Sequence, residues 1–505
     1  MESEGRTSTD TYGRLVCMAY IFNLIVGTGA LTMPRAFSET GWLLAVISLT
    51  VLACISYLTA TFMIEAMAVA NAIVRFKTLK SYESTSNQQQ DNMTSPVEVQ
   101  NDSVNQMRND EALAYINHDE RAPLPVNGSM QSIPQNVLER YFEITEIFEM
   151  GRMASMFYNT WGLRLFYICI TLYLYGDLAI YSTAVAKSLR DLACQRIKDN
   201  NSISDMCWPD YNISQANMYL ISLAIFIFAV GPFTFYNVQR TKYLQISITI
   251  LRWKAFGIMI VLCMIAIING HAKGHPKVGD ISEVPALFGT CVYSFMCHHS
   301  LPSLITPLQP KKGVSILILC DFILVQVFYN LLSMTGVFTF EVVKDLYTLN
   351  FEPSMTPSVV PEIPYLQYFL LVFPILMVTS NFPIIAITLT NNLRALIVNQ
   401  DSPWWFAKAV VPIMALIPPC LIALLVQDVD LLVSVTGAYA GAGIQYVIPA
   451  SLVYLARREI NARLGPGVKN TFASPFQCPY WIHFVITWAC ISILLVTWNI
   501  IKKLM

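Results

Sequence analysis

The sequence predicts an all-α protein that crosses a membrane many times, and three observations carry that prediction. Of 505 residues, 55% are hydrophobic and only 13% charged, against roughly 25% charged in soluble domains. Mean hydropathy is +0.50, so a water-facing surface for a chain of this length cannot be assembled. Apolar runs of about 20 residues, enough to span roughly 30 Å of hydrocarbon, recur about eleven times. They lie at 14–37, 42–66, 162–187, 216–237, 244–269, 285–308, 314–340, 364–392, 404–426, 429–456 and 480–501. No alternating ten-residue strand pattern stands out, and a bilayer admits only helices or closed barrels.

The same composition excludes other classes. With 32 basic and 33 acidic residues the net charge is −1, which leaves no basic footprint for nucleic acid. The 12 cysteines show no CxxC or CxxH spacing, which argues against a zinc module. No nucleophile, base or metal-ligand spacing stands out, so an enzyme is not expected. Nothing reads as a repeated filter or charged ring of a channel.

Taken in order, residues 1–13 form a short N-terminal segment and 14–505 the membrane domain. With the N-terminus in the cytoplasm, 22 of the 32 Lys and Arg residues fall on the cytoplasmic side, as the positive-inside rule requires. A cleaved signal peptide is the competing reading of 14–33. Asn23 and Gly27-Thr28-Gly29 within that run suit an internal function better. Residues 78–136, between the second and third spans, are rich in Gln, Asn and Ser and carry four prolines. They cannot bury enough apolar surface to offset their ordering entropy, so a disordered acidic cytoplasmic loop is expected there, open to soluble partners. Residues 137–158 return to helical periodicity through Leu138, Phe142, Ile147 and Met150. They read either as an amphipathic helix on the membrane face or as an extension of the third span.

The loop 188–215 falls on the non-cytoplasmic side. It holds Cys194 and Cys207, the only cysteines so placed, and the N-x-S/T sequons at Asn200 and Asn212. A disulfide and glycosylation are expected there, with free thiols and unused sequons as the alternative. Three further sequons, at Asn92, Asn101 and Asn127, lie in the cytoplasmic loop and should stay silent. The membrane is one on the secretory route, plasma or endolysosomal.

Two spans carry interruptions. The first contains Asn23 through Pro34 with Gly27, Thr28, Gly29 and Ala30 at its middle. A helix break there would aim N–H groups at an anion and C=O groups at a cation, whereas close packing through small residues is the plainer reading. The sixth holds Cys297, His298, His299 and Ser300 before Leu301-Pro302. Two histidines at mid-membrane are expensive in lipid and mark function, with a structural cap on a freed carbonyl as the plainer reading for one of them. Interruptions at corresponding places in two halves point to a secondary-transporter site. Asp177 in the third span and Asp321 in the seventh are further intramembrane carboxylates. Asp177 is a proton relay, a cation contact or a partner of His298 or His299, or else a structural carboxylate that is neutral or hydrogen-bonded to a tyrosine. Glu65 reads as interfacial, and Arg252 and Lys254 as side chains that snorkel to the surface.

The stretch NLIVGTGALTMP from Asn23, followed by Ala36-Phe37, resembles the opening motif of the amino acid/auxin permease superfamily. Phe295-Met296-Cys297-His298 with Leu301-Pro302 is similar to the sixth-span motif of its sodium-coupled neutral amino acid transporter branch. Gly437, Ile448-Pro449-Ala450 and Tyr454 resemble that branch's tenth span. Across nearly the whole chain, with CHHSLPSL and YLYGDLAIY, the sequence is similar to the transmembrane protein 104 family. The resemblance implies a leucine-transporter-like arrangement. One five-helix repeat (14–269) is followed by an inverted second (285–456) and an extra helix (480–501). It implies a symporter of amino acids or related solutes working by alternating access. Gly27–Ala30 and Cys297–Ser300 would face substrate, and Na⁺ would sit at Asn23 with Thr379 or Ser380. His299 and Ser300 replace the family's usual Pro-Glu, so H⁺ through a histidine–carboxylate pair stays open as the coupling ion. A transport-silent sensor or scaffold on the same fold is the alternative function.

Overall fold

The computed structural model describes residues 11–92, 141–194, 198–199, 202–203, 206–208, 211–235, 242–352, 359–361, 363–398, 403–464 and 468–504. Among them, nine helices are long and apolar enough to cross a membrane, or ten if one bent pair counts as a single span. In chain order the helices are α1 (Arg14–Ile25), α2 (Gly29–Thr40), α3 (Trp42–Asn92), α4 (Met150–Phe157) and α5 (Thr160–Ala193). Then come α6 (Gln215–Val230), α7 (Lys242–Ile268), α8 (Val284–Ser294), α9 (Leu301–Ile305) and α10 (Val314–Thr339). The last are α11 (Pro364–Ile397), α12 (Val411–Leu425), α13 (Val429–Thr436), α14 (Ile448–Leu464) and α15 (Pro479–Leu504).

The bent pair is α1 with α2, which meet at 59°. The stretch expected as a sixth span, 285–308, is not one helix but α8 and α9 with six residues between them. At 1.5 Å per residue α8 is only about 16 Å long. Between α13 and α14 the backbone runs through two π-helical turns, Gly437–Gly441 and Gly443–Val447. Such turns widen a helix and recur where function needs an aimed side chain.

Two expectations change at the α3–α4 connection. The second span, read as 42–66, is part of a longer helix: α3 continues to Asn92, so helix covers 78–92 of the segment read as a disordered loop. Residues 93–136 of that segment lie outside the described residues. The helical periodicity over 137–158 also misleads, because among the described residues of that stretch, 141–158, only Tyr141 and α4 are helical. Residues 143–149 run irregularly because α3 captures their backbone. Asn71 Oδ1 accepts from the N–H groups of Thr145 (3.2 Å) and Glu146 (2.9 Å), and Arg75 donates to Thr145 Oγ1 (2.7 Å). Phe142, Ile144 and Phe148 are fully buried by this docking. Their apolar spacing reflects a pinned extended chain, not a helix face.

On the side of the membrane where α2 ends, the loop before α8 straps the bundle. Trp42 N–H donates to Lys277 O (3.0 Å), Asp280 N–H to Thr40 O (2.7 Å) and Lys273 N–H to Thr339 O (3.0 Å). Gly41 permits the contact: its φ is +91°, and a side chain would come within 2.6 Å of Gly279 backbone. Further along this side, Cys194 and Cys207 are joined as a disulfide beside two short hairpins, Lys198–Asp199 with Ser202–Ile203 and Met206–Trp208 with Ile213–Ser214. Asn212 is exposed there, and Asn200 lies outside the described residues.

Candidate functional site

The first break comes from the GTG triplet. Two glycines weaken a helix by about 1 kcal/mol each relative to alanine, and α1 stops at Ile25 where they begin. The glycines do different work. A side chain on Gly29 would come within 2.9 Å of Ser294 Cα, so Gly29 is what lets α2 cross the end of α8. A side chain on Gly27 would meet nothing within 4 Å, so the break has free space beside it. Close packing and an opened backbone, offered as alternatives by the sequence, are both present. Ala30 N–H is already turned back to Gly27 O (3.2 Å) and Leu31 N–H to Thr28 O (3.0 Å), a tight first turn of α2.

The second break lies alongside. Tyr329 of α10 places its hydroxyl 3.0 Å from Ile25 O and 3.0 Å from Ser294 O, so one proton is shared between the last carbonyls of α1 and α8. Phe295, first residue of the break, stacks on Phe322 (centroids 5.8 Å apart, 12° between planes) and meets Tyr329 edge-on (5.6 Å). Tyr293 completes the junction. Its hydroxyl donates to Asp177 Oδ1 in α5 and sits 3.0 Å from Thr28 Oγ1. With the tyrosine proton spent on Asp177, the Thr28 hydroxyl must be the donor in that second bond. A directed chain, Thr28 to Tyr293 to Asp177, therefore links both broken spans to α5. All three residues are buried. Tyr173 lies beside it, its ring 6.1 Å from that of Tyr293 and 6.0 Å from that of His299.

Arg252 does not snorkel. It is buried, and its Nη1 donates to the Asn23 carbonyl near the end of α1, with Tyr181 and Tyr329 within electrostatic reach. A guanidinium thus occupies the negative end of the first half-helix, where the backbone geometry favours a cation. Lys254 is exposed.

The histidine–carboxylate pair expected from the sequence is not formed. Asp177 is held by Tyr293, and His298 turns the other way: its Nε2 lies 2.9 Å from Thr59 Oγ1 and 3.3 Å from Ser56 O in α3. Gln445, in the second π-helical turn, donates to Ser56 Oγ and extends that network. His298 Nδ1 and His299 Nδ1 are buried and have no partner among the described residues. Cys297 is buried, and Ser300, half-buried, presents its carbonyl to Ser303 Oγ (2.8 Å) at the start of α9.

Asn23 lies on α1 and Thr379 and Ser380, read with it as a Na⁺ site, on α11. Asn23 Oδ1 is buried without a partner. Ser380 gives its proton to Met377 O of its own helix (2.8 Å), and Thr379 is half-buried on α11. Among the described residues no three His, Cys, Asp or Glu side chains converge as a metal centre would. Asp321 is fully buried in α10, and neither carboxylate oxygen has a hydrogen-bond partner.

Ties flank the cluster on both sides of the membrane. On the α1 side, Tyr12 donates its hydroxyl to Leu304 O and its N–H to Pro307 O (3.2 Å), while Arg14 reaches Lys312 O (2.5 Å). On the opposite side, Arg35 bridges Glu39 (2.9 Å) and Asp428 (3.8 Å), and Lys187 pairs with Asp345, which also accepts from Val429 N–H (3.0 Å). Glu65, read as interfacial, is paired within the protein. It is buried, gripped bidentately by Arg457 of α14 (2.7 and 2.8 Å) and bonded by Ser474 N–H (2.9 Å).

Sequence reasoning offered a tyrosine partner for Asp177 without naming Tyr293, read Arg252 as snorkelling, and passed over Tyr329 and Gln445. The signal for the tyrosines was present in Asp177: a carboxylate in an apolar span needs donors, and buried tyrosine hydroxyls supply them.

The profile of the family described as "Transmembrane amino acid transporter protein" matches residues 15–95 and 138–501. The chain belongs to that family. It is 42% identical over 514 residues to "Transmembrane protein 104" of Homo sapiens, with 99% of each chain covered. It is likewise 42% identical to "Transmembrane protein 104 homolog" of Drosophila melanogaster, covering 98% of each. The homologue of Dictyostelium discoideum is 31% identical over 98% of this chain and 99% of its own length. The matched residues include both backbone breaks and every residue of the cluster.

Proposed function

We propose that the protein is a secondary active transporter of amino acids or related small solutes, working by alternating access as a symporter. The observation that carries this reading is the junction of the two interrupted spans, closed by Tyr329 and by the chain Thr28–Tyr293–Asp177. Broken spans paired at mid-membrane are the hallmark of transporter sites built from inverted repeats. The reading takes α1 to α7 and α8 to α14 as the two repeats and α15 as the extra helix, with α8 and α9 forming one interrupted span. The N-terminus is placed in the cytoplasm, with Asn200 and Asn212 as glycan acceptors beside the Cys194–Cys207 disulfide. The membrane is plasma or endolysosomal.

A substrate carboxylate would sit at the start of α2, beside the open flank of Gly27, where the half-helix presents its positive end. The ammonium would face Asp177, away from the α1 half-helix end that Arg252 occupies. Each hydrogen bond of the junction joins parts that must separate for the site to open: α1 from α8, α2 from α5. Substrate that replaces these bonds lowers the cost of moving them. Driving by H⁺ is favoured over Na⁺. The Arg252 guanidinium already satisfies the Asn23 carbonyl, and a second cation brought to the same half-helix end would be repelled.

The test is counterflow: purified protein in proteoliposomes preloaded with unlabelled amino acid, assayed for entry of labelled amino acids across a panel. Entry of at least one that depends on the preloaded species supports transport. Silence across the panel, from protein shown to be folded, would favour a sensor or scaffold.

A further inference from the structure

We propose that Asp321 is the site at which this transporter binds its coupling proton, at the α1 side of the second break. This rests on the transport reading above and names a residue that reading does not use.

Asp321 is fully buried, and both its oxygens lack any partner among the described residues. A carboxyl kept only for structure would donate its O–H and accept at its C=O, as buried polar groups do; this one does neither. A carboxylate left charged there would be equally out of place. With neither form held by a fixed partner, the group is free to change its protonation state. Its surroundings narrow the choice. The titratable groups within electrostatic reach are two thiols, Cys17 from α1 and Cys297 from the second break. From α3, Tyr57 reaches the neighbouring Phe322 ring (6.4 Å), while Glu65 is committed to Arg457. From α7, Arg252 is committed to Asn23, and from α2, Arg35 to Glu39 and Asp428. Hard cations demand a shell of oxygens, which thiols and phenyl rings do not provide. Asp321 and the cysteines do not form a metal-holding group. A proton needs no shell.

The placement suits coupling. Asp321 lies eight residues before Tyr329 on the same helix, about 12 Å along its axis. Phe295 of the break is sandwiched between Phe322, the next residue, and Tyr329. Whatever displaces α10 at Asp321 therefore acts on the aromatic pair and on the hydroxyl that holds Ile25 and Ser294. The N-terminal segment tied to Leu304 and Pro307 lies at the same side of the membrane; released, it would open a route from water to Cys17 and Asp321. The step is Asp–COO⁻ plus H⁺ giving Asp–COOH, the proton coming from bulk water on one side and leaving on the other.

Proteoliposomes holding wild type, Asp321→Asn or Asp321→Glu would be compared in two assays. Counterflow requires no net proton movement; accumulation under an imposed pH gradient does. Asp321→Asn, an isostere of the protonated acid, is expected to keep counterflow and lose gradient-driven accumulation by about tenfold or more. Asp321→Glu is expected to keep accumulation with an altered pH dependence. Independently of transport, an infrared band of a protonated carboxylic acid that responds to pH in wild type should be missing in Asp321→Asn. Undiminished accumulation by Asp321→Asn, or an unchanged infrared titration, overturns the assignment. A wild type silent in counterflow but with a pH-dependent band lost in Asp321→Asn would instead refute transport while leaving Asp321 as a proton site.

Discussion

Tyr293 contributes a single proton, and the cluster is built around where that proton goes. It is given to Asp177, which forces Thr28 to donate in turn. Asp177→Asn keeps an acceptor for Tyr293 but removes the charge. The difference between a charged and a neutral hydrogen bond, roughly 1 kcal/mol or more, should raise the half-saturating substrate concentration in counterflow by about fivefold or more. Tyr293→Phe leaves Asp177 buried without its donor and should be worse than Asp177→Asn. Equal or better transport by Tyr293→Phe would remove the chain from the mechanism. At Arg252 the expectation concerns the ion: replacing Na⁺ with a bulky organic cation should leave wild-type transport unchanged, and abolition would restore the Na⁺ reading. These residues also show what the sequence could and could not disclose. Asp177, His298 and Thr28 stand out because polar groups are costly in lipid. Their pairing does not, because helical register is lost over residues 295–300. Tyr293 and His298, five apart, consequently face different neighbours, and spacing alone cannot say which.

At the scale of elements, the long α3 is the frame. It receives His298 through Thr59 and Ser56, holds Arg457 through Glu65, and captures residues 145–146 through Asn71. Glu65→Gln should leave Arg457 half-buried against a neutral partner; breaking such a pair costs about 3–5 kcal/mol. A clear fall in the unfolding temperature in detergent is expected, and none would show the pair to be dispensable. Asn71→Ala should free the segment 143–149 and speed its proteolysis without altering the α3 core. On the opposite side, burial by itself would raise the Asp345 carboxyl. The Lys187 ammonium and the Val429 N–H outweigh burial and hold it below the usual carboxylate range. A carboxyl depressed on folding stabilises above its unfolded value, about 3.9, and that contribution is lost as pH falls through the lower folded value. Wild type should therefore lose stability more steeply than Asp345→Asn as pH drops below about 4. Parallel curves would contradict the pairing. The break in the first span was legible because Gly27 and Gly29 announce it. The irregular path before α4 was not, because apolar residues buried by capture of their backbone imitate a helical stripe.

For the molecule as a whole, the two backbone breaks meet at one buried junction, and separate ties fasten it on either side. Tyr12 and Arg14 close one face, Arg35, Asp428, Lys187 and Asp345 the other. A carrier that alternates would break one set while keeping the other, and these ties depend on few bonds each. The sequence made the membrane class and the two breaks readable, since both follow from composition and from glycine and proline positions. The ties were not readable, since they join residues hundreds of positions apart. The measurement that bears most directly on the account is accumulation of a labelled amino acid against its own gradient, by wild-type protein in proteoliposomes under an imposed pH gradient without Na⁺. The account predicts uphill accumulation that collapses when a protonophore dissipates the gradient. No accumulation of any amino acid under either a pH or a Na⁺ gradient, by protein shown to be folded, would contradict it.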